Sequence, residues 1–190
     1  MNLNFSPSFI EVYDKALSSN ECNILISQFE KSPQREGTVF KDGITTVDKD
    51  IKNSLEISGC SLSKPTTISS IINNSLKICF IKYREKYPIF INSMTHVEPC
   101  DSYTFKKFEG KSAGYKDWHH EHGPGDELSK RVLVWGFYLN DAPGTDFMFY
   151  PNVSGKEGRC VIFPASFNYM HRSSPNKGIK YIITGWFSYI

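Results

Sequence analysis

A chain of 190 residues with a formal net charge of +2 has room for one domain and lacks the basic stripe that nucleic-acid binding would call for. Fourteen Phe and ten Tyr favour a β-rich core over a simple helical bundle. Five scattered cysteines, Cys22, Cys60, Cys79, Cys100 and Cys160, form no C-x-x-C pair and read as reduced intracellular thiols. Residues 1–7 lack the basic start and apolar core of a secretory signal, and the longest apolar run, residues 132–139, is too short for a helical membrane span. The chain is therefore expected to be soluble and cytoplasmic, without a membrane partner.

In chain order the first signal is helical. Ser18-x-x-Glu21 is a capping box, and Cys22, Leu25, Ile26 and Phe29 follow at i, i+3, i+4 and i+7, which predicts an amphipathic helix ending before Pro33. Residues 34–56 are polar, contain Gly37 and Gly43 and show no clean period. They are expected to form either a flexible lid over a site or a surface excursion with a short hairpin. A second helix is predicted over residues 66–87, with Ile68, Ile72, Leu76, Cys79 and Tyr83 on one stripe and Pro88 as its stop.

These helices, both within residues 1–100, need a sheet to cover, and residues 101–190 supply it. Stretches 132–139, 147–150, 160–163 and 180–189 are short, aromatic and β-branched, and Gly, Pro and Asn punctuate them. They predict antiparallel strands closed into a double-stranded β-helix, or jelly roll, with the helices outside. The expected class is one α+β domain over residues 1–190.

The run Trp118-His119-His120-Glu121-His122 concentrates imidazoles around a carboxylate, and His171 follows 52 positions after His119. His119, Glu121 and His171 are the set that holds Fe(II) on one face and leaves three positions open, which suits oxygen chemistry. In an extended strand alternate residues share a face, so His119 and Glu121 can grip one ion while His120 and His122 point elsewhere. The competing readings are a solvated loop and a zinc site built from His120, His122 and His171. Nine residues beyond His171 stands Lys180. By the same alternation Lys180, Ile182, Thr184 and Trp186 share a face, so that an ammonium and a hydroxyl point into one cavity.

In order and spacing these residues resemble the Fe(II)/2-oxoglutarate oxygenases of the prolyl 4-hydroxylase type, which carry H-x-D/E, a distal His and a Lys or Arg at about this offset. The resemblance extends to Asp14-x-x-Leu17-Ser-x-x-Glu21-Cys22-x-x-Leu25-Ile26, Gly114-Tyr115, Arg131 through Asp141, Gly158-Arg159 through Pro164, and Thr184 through Phe187. It implies that His119, Glu121 and His171 are the metal ligands and catalytic residues, and that Lys180, Tyr138 and Thr184 contact the far carboxylate of 2-oxoglutarate. It further implies Fe(II), 2-oxoglutarate and O2, with ascorbate as reductant, for hydroxylation of an unactivated C–H with release of succinate and CO2. Fe(II) with one carboxylate, the 2-oxoglutarate dianion and Lys180 sum to a neutral load that a barrel interior tolerates.

This chain departs from the pattern at three places. Glu121 stands where Asp is commoner, Pro143-Gly144-Thr145-Asp146 replaces a glycine-rich rim loop, and Phe108 replaces a tyrosine that in some members hydrogen-bonds the cosubstrate. Gly136 shares a strand face with Tyr138 and leaves space beside it. Trp118 and Trp186 are assigned to the core. Arg131 and Arg172 are assigned to the solvated surface, with a substrate carboxylate as their alternative. The expected substrate is a prolyl residue of a peptide or protein lying beneath residues 34–56, whose glycines serve as hinges. Another side chain, a free amino acid or a small metabolite is the alternative, and a jelly-roll module that binds metal or ligand without turnover is the reading from a different class.

Overall fold

The computed structural model describes residues 8–41, 43–88, 92 and 96–190. The opening segment 1–7, on which the expectation of no leader rests, lies outside the described residues. Among the described residues no helix is long and apolar enough to cross a membrane, and all five cysteines are free.

Helix α1 (Ser19–Lys31) starts at the expected capping box. The Glu21 amide donates to the Ser18 hydroxyl, and the Glu21 carboxylate accepts from the Ser18 amide at 2.8 Å. It buries Cys22, Leu25 and Phe29. Helix α2 (Thr67–Lys86) is capped by Thr66 through Ser69, and its buried stripe carries Ile72, Leu76, Cys79 and Tyr83.

The strands are β1 (Glu11–Tyr13), β2 (Arg35–Glu36), β3 (Val39–Lys41), β4 (Ile44–Thr46), β5 (Lys52–Asn53), β6 (Leu55–Ser61), β7 (Val97–Glu109), β8 (Gly114–Tyr115), β9 (Arg131–Tyr138), β10 (Ala142–Phe147), β11 (Val153–Gly155), β12 (Cys160–Pro164), β13 (His171–Ser173) and β14 (Ile179–Tyr189). They pair antiparallel into a large sheet ordered β1-β12-β9-β14-β7-β6-β2, a small sheet β11-β10-β13, and the pairs β3-β4 and β5-β8. This is the double-stranded β-helix that the strand pattern predicts.

Strand alternation splits the large sheet into two faces with different duties. Tyr103, Phe105, Leu133, Trp135, Phe137, Cys160, Ile162, Ile183 and Phe187 join the helices in one core. At alternate positions of the same strands, Phe108, Val134, Val161, Phe163 and Ile182 face the small sheet and pack with Phe147 and Val153. Burying each large aliphatic or aromatic side chain contributes roughly 1.5–3 kcal/mol, so both faces are energetically committed and the register cannot slip by one residue. At Gly185 the backbone passes directly under Trp135, whose ring would collide with any Cβ there.

Two expectations about the strands need correction. Residues 147–150 do not form a strand. β10 runs from Ala142 to Phe147, and Met148 and Phe149 are exposed in the bend that follows. The Pro143-Gly144 pair that read as part of a rim loop lies inside β10, at the register shift between the Ala142–Gly155 and Thr145–Val153 pairs, and β13 pairs with the residues that follow it. The division into helical and sheet halves also fails, because β6 and β2 extend the large sheet beside the long strand β7. Residues 34–56 contain the hairpin β3-β4, with Gly43 at positive φ in its turn. Gly37 is not a hinge of the kind expected. Its amide bonds the Ser54 carbonyl at 2.9 Å, and a Cβ there would collide with the Ser54 side chain.

Candidate active site

A cavity opens between the inner face of the large sheet and the small sheet. His119 and His171 meet there across an antiparallel bridge in which each backbone amide donates to the other's carbonyl, at 3.0 and 2.9 Å. The Glu121 amide is held by the Ala165 carbonyl at 3.1 Å. Backbone hydrogen bonds thus set all three side chains, and their ligand atoms lie within 4.8 Å of one another.

Each imidazole is oriented by its second nitrogen. His119 Nδ1 lies 3.0 Å from the Asp117 carbonyl and His171 Nδ1 3.0 Å from the Tyr169 carbonyl. An Nδ1–H donated to each carbonyl leaves both Nε2 lone pairs facing the cavity. Tyr115 stacks on the His119 ring with centroids 3.7 Å apart and fixes its plane. Burial pushes His119 down to about 3, assisted by the charge that His171 would carry and opposed by Glu121. His171 is lowered mainly by burial as well. Both rings are therefore neutral at physiological pH, the form that binds a metal.

The two oxygens of Glu121 have separate neighbours. Oε1 is 3.8 Å from His119 Nε2 and 3.9 Å from His171 Nε2. Oε2 accepts from Arg131 Nη1 at 3.1 Å and from the Trp186 indole N–H at 3.2 Å. The Arg131 guanidinium lies over the Trp186 ring at 3.6 Å, so the two donors brace each other. Burial works to raise the Glu121 carboxyl, but His119, His171, Lys106 and Arg131 outweigh it and hold it below the ordinary value.

This overturns two assignments. Arg131 is a partner of the site carboxylate and not a solvated surface residue, and Trp186 points its N–H into the site. Arg172 lines the cavity, stacks over a half-buried Trp118 at 4.4 Å and faces Asp146 at 3.6 Å. Trp118 is accordingly a ledge beside the mouth and not core. The zinc alternative also fails on geometry, since the third side chain gathered with Glu121 and His171 is His119. His120 and His122 are exposed, and His122 Nδ1 sits beside the Arg131 carbonyl.

At the other end of the cavity Lys180 is 2% exposed and donates to the Gly144 carbonyl at 2.6 Å. Its ammonium also lies 5.6 Å from the Phe108 ring centroid and 5.4 Å from that of Tyr138. Burial lowers it to about 7, with the charge of Lys106 acting in the same direction and Asp146 against. Thr184 lines the cavity, and its buried hydroxyl has no partner. Tyr138 stands one layer back, its hydroxyl 2.7 Å from Thr145, whose side chain lines the wall. The fit to a dicarboxylate rests on these observations: a buried cation and an orphaned hydroxyl await an anionic oxygen at a distance from three free metal ligands. Gly136 keeps the floor low, although a Cβ there would find ordinary contacts of 3.5–3.6 Å with Val161, Ile182 and Ile183.

Two charged cavity residues escape the sequence reading, Lys52 and Lys106. Lys106 stands on β7, a strand not expected from the sequence. Tyr103 and Phe105 alternating with Lys106 and Phe108 was the available signal. Lys52 forms a buried ion pair with Glu56 at 2.8 Å and donates to the Thr38 carbonyl.

Residues 103–188 match the 2OG-Fe(II) oxygenase superfamily. The fold is similar to that of the viral collagen prolyl hydroxylase vCPH of Paramecium Bursaria Chlorella virus-1 in its 2OG complex (TM-score 0.69, 16% identity, 96% of this chain and 97% of that one). It is also similar to a Pseudomonas putida prolyl-4-hydroxylase (0.70, 13%, 96% and 94%). A third such structure is a Trichoplax adhaerens prolyl hydroxylase in complex with a hypoxia inducible factor oxygen degradation domain peptide fragment (0.66, 12%, 95% and 84%). No curated protein matches the chain. The chain thus resembles 2OG-Fe(II) oxygenases in sequence over residues 103–188 and solved prolyl hydroxylases in fold over nearly the whole chain.

Proposed function

We propose that this chain is an Fe(II)- and 2-oxoglutarate-dependent dioxygenase, one catalytic unit over residues 1–190, that hydroxylates a prolyl residue of a peptide or protein with release of succinate and CO2. The observation that carries the reading is the pairing, in one cavity, of the His119–Glu121–His171 cluster with a buried ammonium and an orphaned hydroxyl. A binding module without turnover has no need of both.

His119 Nε2, His171 Nε2 and Glu121 Oε1 hold the metal. Lys180 and Thr184 receive the far carboxylate of 2-oxoglutarate, and Tyr138 positions Thr145 behind them. Bound Fe(II) supplies the activation of O2, coupled to decarboxylation of 2-oxoglutarate, that oxidises an unactivated C–H. Arg131 and Trp186 occupy Glu121 Oε2 and so leave Oε1 as its metal-facing oxygen. Val134, Val161, Phe163 and Ile182 keep water from the reacting centre. Residues 34–56 act as the cover, since Lys52 from this segment lines the cavity and β5 pairs with β8 beside Tyr115. The Trichoplax prolyl hydroxylase in complex with a peptide fragment supports a peptide as the substrate.

The test is succinate release with proline-rich peptides in the presence of Fe(II), 2-oxoglutarate and ascorbate, paired with mass spectrometry for one added oxygen on proline. Glu121→Ala should abolish both readouts. Oxidation of a free amino acid or small metabolite in place of any peptide would defeat the prolyl assignment and leave the oxygenase standing.

A further inference from the structure

The neutral load expected from the sequence leaves out two cations that the structure puts in place. Arg131 already matches Glu121, Lys52 is matched by Glu56, and Arg172 faces Asp146. A metal dication and the 2-oxoglutarate dianion cancel. Lys180 and Lys106 then remain, so the loaded site retains a surplus positive charge.

Of the two, Lys180 is tied to the Gly144 carbonyl. Lys106 has no hydrogen bond or ion pair among the described residues, although it lines the cavity with His119, Glu121 and His171. The reason lies in its strand register. Glu56 sits directly across from Lys106 in the β6–β7 ladder, the position where an opposite charge would normally pair. That carboxylate turns its Oε1 to Lys52 and to the Ser54 hydroxyl, each at 2.8 Å, and makes no ion pair with Lys106. Lys106 thus lines the cavity beside both the metal cluster and Lys52 of the cover segment.

We propose that Lys106 is a specificity-determining residue that receives a carboxylate carried by the substrate near the carbon to be oxidised. This rests on the oxygenase reading and narrows it to acidic substrates: a prolyl residue beside Asp or Glu in a peptide, or an amino acid with a free α-carboxylate. A lone ammonium against the apolar wall of Val134, Val161, Phe163 and Ile182 matches one carboxylate. A phosphate would call for several converging donors.

The experiment is calorimetric binding to the protein loaded with Zn(II) and 2-oxoglutarate, which cannot turn over. The probes are short peptides containing Asp-Pro against Asn-Pro, and L-proline against L-prolinamide. At least one carboxylate probe should bind tenfold or more tightly than its amide, and the pair that does so identifies the source of the carboxylate. Lys106→Gln should erase the preference and Lys106→Arg should keep it. Equal binding of carboxylate and amide, absence of binding by both carboxylate probes at millimolar concentration, or preference for a phosphodiester oligonucleotide would overturn the proposal. So would a loss of 2-oxoglutarate affinity in Lys106→Gln as large as that in Lys180→Gln, which would make Lys106 a counter-ion of the cosubstrate. Wild-type protein that binds Zn(II) but no 2-oxoglutarate would bring down the oxygenase reading itself, and this proposal with it.

Discussion

Lys180 should make opposite contributions to folding and to cosubstrate binding, and Lys180→Met separates them. The fall of its pKa from 10.5 to about 7, at about 1.4 kcal/mol per pH unit, corresponds to on the order of 5 kcal/mol against the charged form in the ligand-free fold. That penalty is complete below about pH 7, where folded and unfolded lysine are both protonated. It fades as pH rises toward 10.5, because the folded form sheds its proton first. Met fills the same volume without the charge but leaves the Gly144 carbonyl without its donor, which costs about 1–3 kcal/mol. The net expectation is a gain of about 2–4 kcal/mol at pH 6, or a Tm raised by about 5–10 °C, and almost no gain at pH 9.5. Affinity for 2-oxoglutarate should fall by roughly a hundredfold or more, since a buried carboxylate loses its partner. Thermal unfolding of the metal-free protein at the two pH values and titration of 2-oxoglutarate into the Zn(II) form provide the assays. A variant equally destabilised at both pH values, or one with unchanged 2-oxoglutarate affinity, would refute the reasoning.

Three further outcomes are expected. His119→Ala, Glu121→Ala and His171→Ala should each lose metal, whereas His120→Ala and His122→Ala should keep it; elemental analysis after dialysis separates the two groups, and metal loss confined to the latter pair would reassign the site. Arg131→Met and Trp186→Phe each free Glu121 Oε2 of one donor and should weaken metal binding about 10- to 100-fold without unfolding the chain, measured by competition with a chelator. Gly185→Ala should destabilise by about 1–3 kcal/mol through the collision with Trp135, read from denaturant midpoints, with the metal cluster intact at low temperature.

Lys180 and Thr184 were legible because they alternate on one strand, and the metal cluster because His119, Glu121, His171 and Lys180 follow the order and spacing of the family they resemble, although His119 sits at an isolated bridge and Glu121 in a bend and not on a shared strand. Helices α1 and α2 were legible for a similar reason, each having a capping box and a single apolar stripe. The rest depended on partners distant in sequence. Arg131 looked solvated because nothing local reveals that the Glu121 carboxylate and the Trp186 ring close around it. β10 was hidden behind a Pro-Gly pair that sits at a register shift within it, and residues 147–150 drew the strand reading through β-favouring side chains of which Met148 and Phe149 in fact meet solvent. Lys106 was missed because a polar residue in an edge-like sequence reads as surface until the opposite carboxylate is found to be engaged elsewhere.

The reciprocal bridge between His119 and His171 has a thermodynamic consequence. It joins positions 52 residues apart without any help from an ion. Closing a loop of that length costs on the order of 3–4 kcal/mol of chain entropy, and the sheet ladder absorbs it during folding. An incoming cation therefore meets ligands already assembled, and its binding energy is not consumed in organising the chain. Stripping the ion with a chelator should then leave a folded vessel that can be refilled with Fe(II), Co(II) or Zn(II) in turn, so that the choice of metal rests on supply and coordination chemistry and not on which ion happens to be present when the chain folds.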